Sequence, residues 1–217
     1  MTREPGDRHD QILAVAAELF ARKGVAATTV REIADEVGIL SGSLYHHFDS
    51  KEAMVDEILS PYLKDLGDAC QRVMARRVDP RGKLRDLVAE CLAVVETHPH
   101  ATEIYQSDVN YLLQFERFGY LTAAAAQVRQ AWLEVLNDGV SQGAFRRDLE
   151  PRIVYRLMRD AIWPSVRWFR PSREYPLSRF AQECTSLFLD GLAVRAPAEA
   201  VAPGAGTVQA PQAARSN

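Results

Sequence analysis

The stretch TTVREIADEVGILSGSLYHHFDSK, residues 28–51, decides the fold because it has the pattern of two short helices joined by a tight turn. Thr29, followed three residues later by Glu32, predicts a capping box at the start of the first helix. Gly38 predicts the end of that helix, since glycine accepts the left-handed backbone of a helix C-cap. Four apolar residues at helical spacing predict one buried face: Val30, Ile33, Ala34 and Val37.

The second helix of the pair, predicted at about residues 41–48, is small and polar. Leu44 and Phe48 are the residues that we expect to be buried. The other side chains face mostly outward: Ser41, Gly42, Ser43, Tyr45, His46 and His47. Such a surface adds little to a core but suits the major groove of DNA. The sequence therefore predicts a helix-turn-helix that binds operator DNA.

Helical spacing continues through most of the chain, and no segment has the convincing alternation of a β-strand. With the two motif helices, seven further segments bring the prediction to about nine helices: about 8–23, 51–77, 81–97, 101–112, 117–142, 151–170 and 176–193. The predicted fold is all-α, with a three-helix DNA-binding domain at residues 8–52 and a larger helical domain at residues 53–194. Pro61 should bend the long fourth helix. Residues 195–217, rich in Ala, Pro and Gly, predict a disordered tail.

The composition of the 217 residues, 47% hydrophobic and 25% charged, allows an ordinary globular core. No apolar run is long enough to span a membrane, and the first ten residues, MTREPGDRHD, lack the hydrophobic stretch of a signal peptide. We therefore expect a cytoplasmic protein without membrane contact. Net charge is −3, and residues 1–52 contain six Arg and Lys against nine Asp and Glu. DNA binding must then depend on where Arg3, Arg8, Arg31 and Lys51 lie.

No metal or cofactor is expected. Cys70, Cys91 and Cys184 fit no metal-ligand spacing and predict free thiols, two of them on apolar helical stripes. His98 and His100 flank a proline but lack a third ligand. His46 and His47 are adjacent on a helix, so their side chains point about 100° apart and cannot easily share an ion.

The motifs TTVREIADEVGI, GSLYHHF and SKEAM, in this order near the start of an all-helical chain, resemble the TetR family of bacterial transcriptional repressors. The resemblance implies that the first three helices bind a palindromic operator and that residues 53–194 enclose a small effector. It also implies a homodimer formed by the last two helices. Ligand binding would release the repressor from DNA.

The resemblance also implies roles for individual residues. Contacts with base edges, or positions along the groove, are implied for Arg31, Ser41, Gly42, Tyr45 and His46. Phosphate contacts are implied for Thr29, Ser43, Tyr45, His47 and Lys51. Leu40 and Ser41 depart from the family pattern, because many members have a small polar residue followed by a basic or polar one. We therefore expect the base preference, but not the mode of docking, to differ.

Longer segments resemble the actinobacterial repressors of cholesterol-ring catabolism, which respond to coenzyme A thioesters. They are ILSGSLYHHF, SKEAMVDEIL, VLNDGVSQGAFRRDL and VYRLMRDAIWPSVRWFRP. This closer resemblance implies a large, anionic and amphiphilic effector, such as an acyl-CoA or a steroid-derived CoA thioester.

The predicted helix at residues 151–170 has a stripe of arginines interrupted by tryptophan. At 100° per residue, one face about 80° wide holds Arg152, Arg156, Arg159, Trp163, Arg167 and Arg170. A charged stripe is usually a solvated face, but a solvated face rarely includes tryptophan. Arginine can bind a phosphate and tryptophan can stack on a flat ring, so we predict effector binding by Arg159, Trp163 and Arg167. The rival interpretation puts Trp163 in a dimer interface.

Two other functions compete with that of a repressor. An all-helical enzyme is disfavoured because the chain has no nucleophile motif, no glycine-rich phosphate loop and no set of metal ligands. A TetR-type regulator with a cationic or neutral hydrophobic, multidrug-like effector would need an acidic and aromatic pocket. The arginine stripe favours an anion instead.

Overall fold

Helices make up most of residues 5–193, the part of the chain that the computed structural model describes. Nine α-helices lie within this range: α1 (Pro5–Lys23), α2 (Val30–Val37), α3 (Ser41–Leu44), α4 (Lys51–Met74), α5 (Pro80–Thr97), α6 (Pro99–Leu112), α7 (Tyr120–Ser141), α8 (Pro151–Ile162) and α9 (Leu177–Leu192). Two 3₁₀ helices are found at Glu116–Phe118 and Trp163–Arg167. The all-α prediction is confirmed. Arg3 and the predicted tail at residues 195–217 lie outside the described residues.

The caps predicted for α2 are present. Thr29 Oγ1 accepts a hydrogen bond from the Glu32 N–H (3.2 Å), and Glu32 Oε2 accepts one from the Thr29 N–H (2.8 Å). Gly38 has φ of 75° and ends the helix in the left-handed conformation. The buried side of α2 packs on α1 through Ile33 and Ala34. These local signals therefore position the turn that leads into α3.

Two predicted helices are shorter in the structure. The segment predicted at 41–48 is α-helical only as far as Leu44, and then continues in tighter turns, with the His47 N–H bonded to the Leu44 carbonyl (3.0 Å). The helix predicted at 151–170 ends at Ile162. Pro164 has no N–H to donate and crowds the preceding turn, so the chain tightens into a 3₁₀ helix there.

α4 connects the DNA-binding helices to the larger part of the molecule without an intervening loop. The helix begins after Ser50, whose side chain accepts the Ala53 N–H (3.1 Å), and continues through Pro61 to Met74. The predicted boundary between residues 52 and 53 therefore falls within its first turn. Side chains from α4 belong to a hydrophobic core shared with α1, α5, α6 and α7.

α5 is the central helix of the larger part, because α4, α7 and α9 all pack on it. Cys91 on α5 and Cys70 on α4 are buried, and Cys184 on α9 is half-buried. All three are free, as predicted. None of the described helices combines the length and the apolar composition that crossing a membrane requires.

Candidate DNA-binding surface and effector cavity

The outer surface of α3 and the turn after it has no Arg, Lys, Asp or Glu side chain. Tyr45 is 56% exposed and Gly42 and His46 are exposed, whereas Leu44 and Phe48 are buried as predicted. Three further residues are half-buried: Ser41, Ser43 and His47. A side chain added at Gly42 would meet no atom within 4 Å, so nothing inside the protein requires glycine there. The surface is therefore open to a partner that approaches closely.

Arg31 and Thr29 are positioned beside this surface by α2. Arg31 is exposed, and its Nε lies 3.8 Å from Asp35 Oδ2. The Thr29 hydroxyl already takes part in the capping box. Hydrogen bonds from Lys23 and Thr29 hold the pKa of Glu32 at about 2, so this carboxylate is charged at neutral pH. If Thr29 contacts a phosphate, its hydroxyl group would have to do so while it also caps α2.

Lys51 has a structural role that the sequence did not indicate. Its ammonium group donates to the carbonyl oxygens of Val25 (2.7 Å) and Thr28 (3.1 Å). It therefore closes the loop between α1 and α2 onto the first turn of α4. An ammonium group has three donors, so the predicted phosphate contact of Lys51 has one donor left.

The same loop is bonded to α6. Asp108 Oδ1 accepts the Val25 N–H at 3.2 Å, and α6 packs along α1. Burial raises the pKa of Asp108. Tyr105 and Gln106, within one turn of Asp108 on α6, line the cavity described next. A shift of α6 would therefore reach the loop that Lys51 closes.

A cavity of about 490 Å³ lies between α4, α6, α7 and α8. Its wall is largely apolar and aromatic, and these helices supply Leu63, Leu66, Tyr105, Val109, Leu121, Val128 and Tyr155. The charged residues of the wall are Arg129 and Arg159, and no carboxylate from the described part of the chain lines the cavity. The cavity therefore combines an apolar interior with two positive charges.

Arg159, predicted from the sequence, is held in place by its neighbour. Its Nε donates to Asp160 Oδ1 at 2.8 Å, and its side chain remains 44% exposed. Burial raises the pKa of Tyr155 to about 12, and the positive charges of Arg159 and Arg129 oppose that rise. Both guanidinium groups thus act electrostatically on the same aromatic side of the cavity.

Trp163 lines this cavity and is only 4% exposed. Its ring centroid lies 6.0 Å from that of the fully buried Trp132, which in turn lies 6.2 Å from Tyr155. The three rings form an aromatic cluster at the cavity. The rival interpretation of Trp163 as a dimer-interface residue is wrong, because its side chain is enclosed by its own protomer.

Arg167, which the sequence predicts to bind the effector, does not line the cavity. It is exposed and donates from Nη2 to Ser107 Oγ at 2.9 Å. The 100° periodicity holds only as far as Ile162, and a 3₁₀ helix turns by about 120° per residue. Over the four residues from Trp163 to Arg167, the direction of the side chains therefore turns about 80° further than it would in an α-helix.

Arg129 was missed because α7 was interpreted only through its apolar stripe. The residue directly follows Val128, which lines the cavity, and an arginine beside a core position was the available signal.

Large apolar side chains are exposed on the last two helices and on the segment between them. Ile153 and Leu157 lie one turn apart on α8, and Leu157 is 65% exposed. Trp168 is exposed between the helices with its ring against Phe180, and Leu187 on α9 is 75% exposed. Exposed apolar residues of this size make α8, α9 and the segment between them a candidate interface with another molecule.

The histidines flanking Pro99 do not form a metal site. His98 Nε2 lies 2.8 Å from Asp65 Oδ2, which gives this ring a hydrogen-bond partner, and His100 is exposed. Within residues 5–193, no three potential ligands from His, Cys, Asp and Glu come together.

Comparison with known proteins accounts for both parts of the chain. Residues 12–58 match the family described as bacterial regulatory proteins, tetR family. Residues 77–192 match the tetracyclin repressor-like C-terminal domain. This chain belongs to the TetR family. TetR regulators bind operator DNA and dimerise, so the chain is a DNA-binding transcriptional repressor of this type and not an enzyme, as predicted.

Several characterised relatives carry the same name. The transcriptional repressor KstR2 of Rhodococcus jostii is 44% identical over 89% of this chain and 98% of its own. KstR2 of Mycolicibacterium smegmatis is 40% identical over 87% of this chain and 92% of its own. The predicted resemblance to a particular group of TetR repressors is therefore confirmed.

Solved structures agree with the fold. The ketosteroid transcriptional regulator KstR2 of Mycobacterium tuberculosis superposes with a TM-score of 0.81 at 38% identity, covering 90% of this chain and 98% of that one. AibR, solved with isovaleryl coenzyme A and operator DNA, superposes with a TM-score of 0.70 at 20% identity, covering 83% of this chain and 97% of that one. The latter similarity concerns the fold alone.

Proposed function

We propose that this TetR-family protein is a homodimeric repressor that leaves its operator when a coenzyme A thioester with a bulky acyl group enters the cavity. The observation that carries this proposal is the pairing of an apolar, aromatic interior with Arg129 and Arg159 in the same wall. The interior suits an acyl group, and the two guanidinium groups suit phosphates, which arginine binds through paired hydrogen bonds.

The names of the relatives support a steroid-derived acyl group. KstR2 of Mycobacterium tuberculosis is a ketosteroid regulator, and AibR has the same fold with an acyl-CoA bound. A cavity of about 490 Å³ is within the range that binds molecules of drug size. The acyl group would fill it, while the longer coenzyme A body would extend past the exposed Arg159.

A cationic, multidrug-like effector is the alternative that the cavity disfavours. A cation needs acidic groups or open aromatic faces nearby. Here the aromatic residues share the wall with two arginines, and no carboxylate of the described residues lines it. A bound cation would be repelled by both guanidinium groups.

The effector class can be tested by calorimetry of the full chain with acetyl-CoA, a medium-chain acyl-CoA, a polycyclic acyl-CoA and a cationic dye. We expect affinity to rise with acyl bulk, by roughly fourfold for each CH₂ that the cavity buries. Free coenzyme A is the control for the head group alone. Tight binding of the dye combined with equal affinity for acetyl-CoA and polycyclic acyl-CoA would refute the proposal.

On the DNA side, the α3 surface enters the major groove and each protomer of the dimer contacts one half-site. Base edges are contacted by Arg31, Ser41, Gly42, Tyr45 and His46, and phosphates by Thr29, Ser43, Tyr45, His47 and the remaining donor of Lys51. Support comes from the exposure of Tyr45 and from the absence of any internal reason for glycine at position 42.

Tyr45→Phe tests the phosphate contact, since it removes one hydroxyl and keeps the ring. We expect operator affinity to fall about tenfold for each half-site, because a hydrogen bond to a charged group contributes about 1.5 kcal/mol. Fluorescence anisotropy over a salt series should give an unchanged salt slope, because tyrosine is neutral and displaces no counterion. Tyr111→Phe, on α6 and outside both the α3 surface and the cavity wall, is the control, and equal affinity of the Tyr45 and Tyr111 variants would contradict the assignment.

A further inference from the structure

Leu40, the residue directly before α3, has the most exposed of the large apolar side chains in the described part of the chain, at 79%. Leaving leucine in water forgoes the free energy that its burial would provide. The residue does not belong to the exposed apolar surface of α8 and α9, because it lies in the helix-turn-helix. A partner that covers Leu40 would therefore differ from the one that covers α8 and α9.

The position of Leu40 makes leucine a poor choice for the helix itself. Leu40 is the N-cap of α3, where Ser, Thr, Asp or Asn normally accepts a backbone N–H, and its side chain makes no cap hydrogen bond. Three other helices of the N-terminal half follow the rule, with Thr29, Ser50 and Asp79 as side-chain caps. Both local stability and solubility thus disfavour Leu40, which points to a role in binding.

The residues after Leu40 limit what α3 can recognise. Ser41, Gly42 and Ser43 are small and uncharged, so this helix has no guanidinium or ammonium group to pair with guanine. They also leave room for a duplex to approach. In the major groove the apolar group on a base edge is the C5-methyl of thymine.

We propose that Leu40 determines part of the operator specificity by packing against the C5-methyl group of a thymine in each half-site. This inference rests on the proposed entry of α3 into the major groove. The contact gives the exposed side chain an apolar partner. It also gives α3 a way to recognise a base, although the helix has no charged side chain to pair with guanine.

The test removes the methyl group from the DNA and the side chain from the protein. A duplex is selected by the wild-type protein from a random pool, and each symmetric pair of thymines is then replaced by deoxyuridine. At one pair we expect the wild-type affinity to fall roughly fourfold for each half-site, the amount that burial of one such group contributes. Leu40→Ala should bind the thymine duplex more weakly and should not respond to deoxyuridine at that pair.

Two further variants make the result specific. Leu40→Ser supplies an N-cap oxygen, so α3 remains capped, and it too should lose the response to the methyl group. Val78→Ala, an exposed apolar position between α4 and α5, should respond as the wild type does.

The outcomes separate the inference from the function on which it rests. If no pair of thymines responds, or if the Leu40 variants respond as strongly as the wild type, the methyl contact of Leu40 is refuted although DNA binding stands. If the wild-type protein selects no duplex, the proposed entry of α3 into the groove fails, and the inference fails with it.

Discussion

Arg159→Ala is expected to weaken binding of the acyl-CoA effector about 100-fold while leaving operator affinity unchanged. A charge-assisted hydrogen bond contributes about 1.5–3 kcal/mol, and a guanidinium group can make two to one phosphate. Arg159 is suited to this because Asp160 fixes its orientation at 2.8 Å while almost half of the side chain remains exposed. Calorimetry gives the effector affinity, and anisotropy with operator DNA gives the dose that releases the repressor.

Arg156→Ala is the matched control for Arg159. Both arginines are on α8 and both pair with Asp160, but Arg156 does not line the cavity. We expect the control to bind effector as the wild type does. Arg159→Lys keeps the charge but loses the planar fork, so it should recover only part of the affinity. Release of the Arg159→Ala variant at the wild-type effector dose would place the effector elsewhere.

The second large effect is expected from Leu157→Asp or Leu187→Asp, which should give monomers and reduce operator affinity by about 1000-fold or more. We propose that the exposed apolar residues of α8 and α9 form the dimer interface. A carboxylate at either leucine would then be buried without a partner, which strongly disfavours association. A monomer then loses the gain in effective concentration that joins the second half-site to the first. Sedimentation velocity measures the oligomeric state, and a gel shift measures operator binding.

Val78→Asp is the control for the two leucine variants. Val78 is also an exposed apolar residue, but it belongs to the turn between α4 and α5 and not to α8 or α9. This variant should stay dimeric and bind DNA normally. A Leu157→Asp protein that is still a dimer with intact operator affinity would show that α8 is not part of the interface.

Local signals were sufficient for the helix-turn-helix. The capping box of Thr29 and Glu32 and the left-handed Gly38 depend on residues within one turn, so the sequence alone predicts them. Leu44 and Phe48 followed from helical spacing in the same way. Elements of this kind are formed by interactions between near neighbours, and the structure agrees with them.

Contacts between distant segments were not accessible in this way. Lys51 bonds to carbonyl groups 23 and 26 residues earlier, and Asp108 bonds to an N–H 83 residues earlier. Backbone acceptors and donors leave no mark in the side-chain pattern, so neither pairing could be inferred. Both residues had to be placed by the packing of α4 and α6 on α1.

The residues at the cavity were predicted in part because helical periodicity is reliable only within an uninterrupted helix. Arg159 and Trp163 were identified from the stripe, and Trp163 proved to be buried at the cavity. Arg167 lies outside the cavity wall because the chain changes its helical pitch at Pro164. Arg129 is on another helix, and the proximity of its charge to Tyr155 is a property of the tertiary structure.

α4 is one continuous helix that extends from the DNA-binding helices to the cavity, so a tilt of α4 would change the position of the DNA-binding helices relative to the cavity. At the N-terminal end of α4, Lys51 is hydrogen-bonded to the loop between α1 and α2. Leu63 and Leu66 line the cavity about 20 Å further along the helix, at a rise of 1.5 Å per residue. A tilt of about 5° over that length displaces the N-terminal end of α4 by about 2 Å. If both protomers of a dimer move apart in this way, the distance between their DNA-binding helices changes by twice that amount. The sum is close to the spacing of about 3.4 Å between adjacent base pairs. We propose that an effector in the cavity tilts α4 in this way, which would produce a mismatch of one step along the duplex.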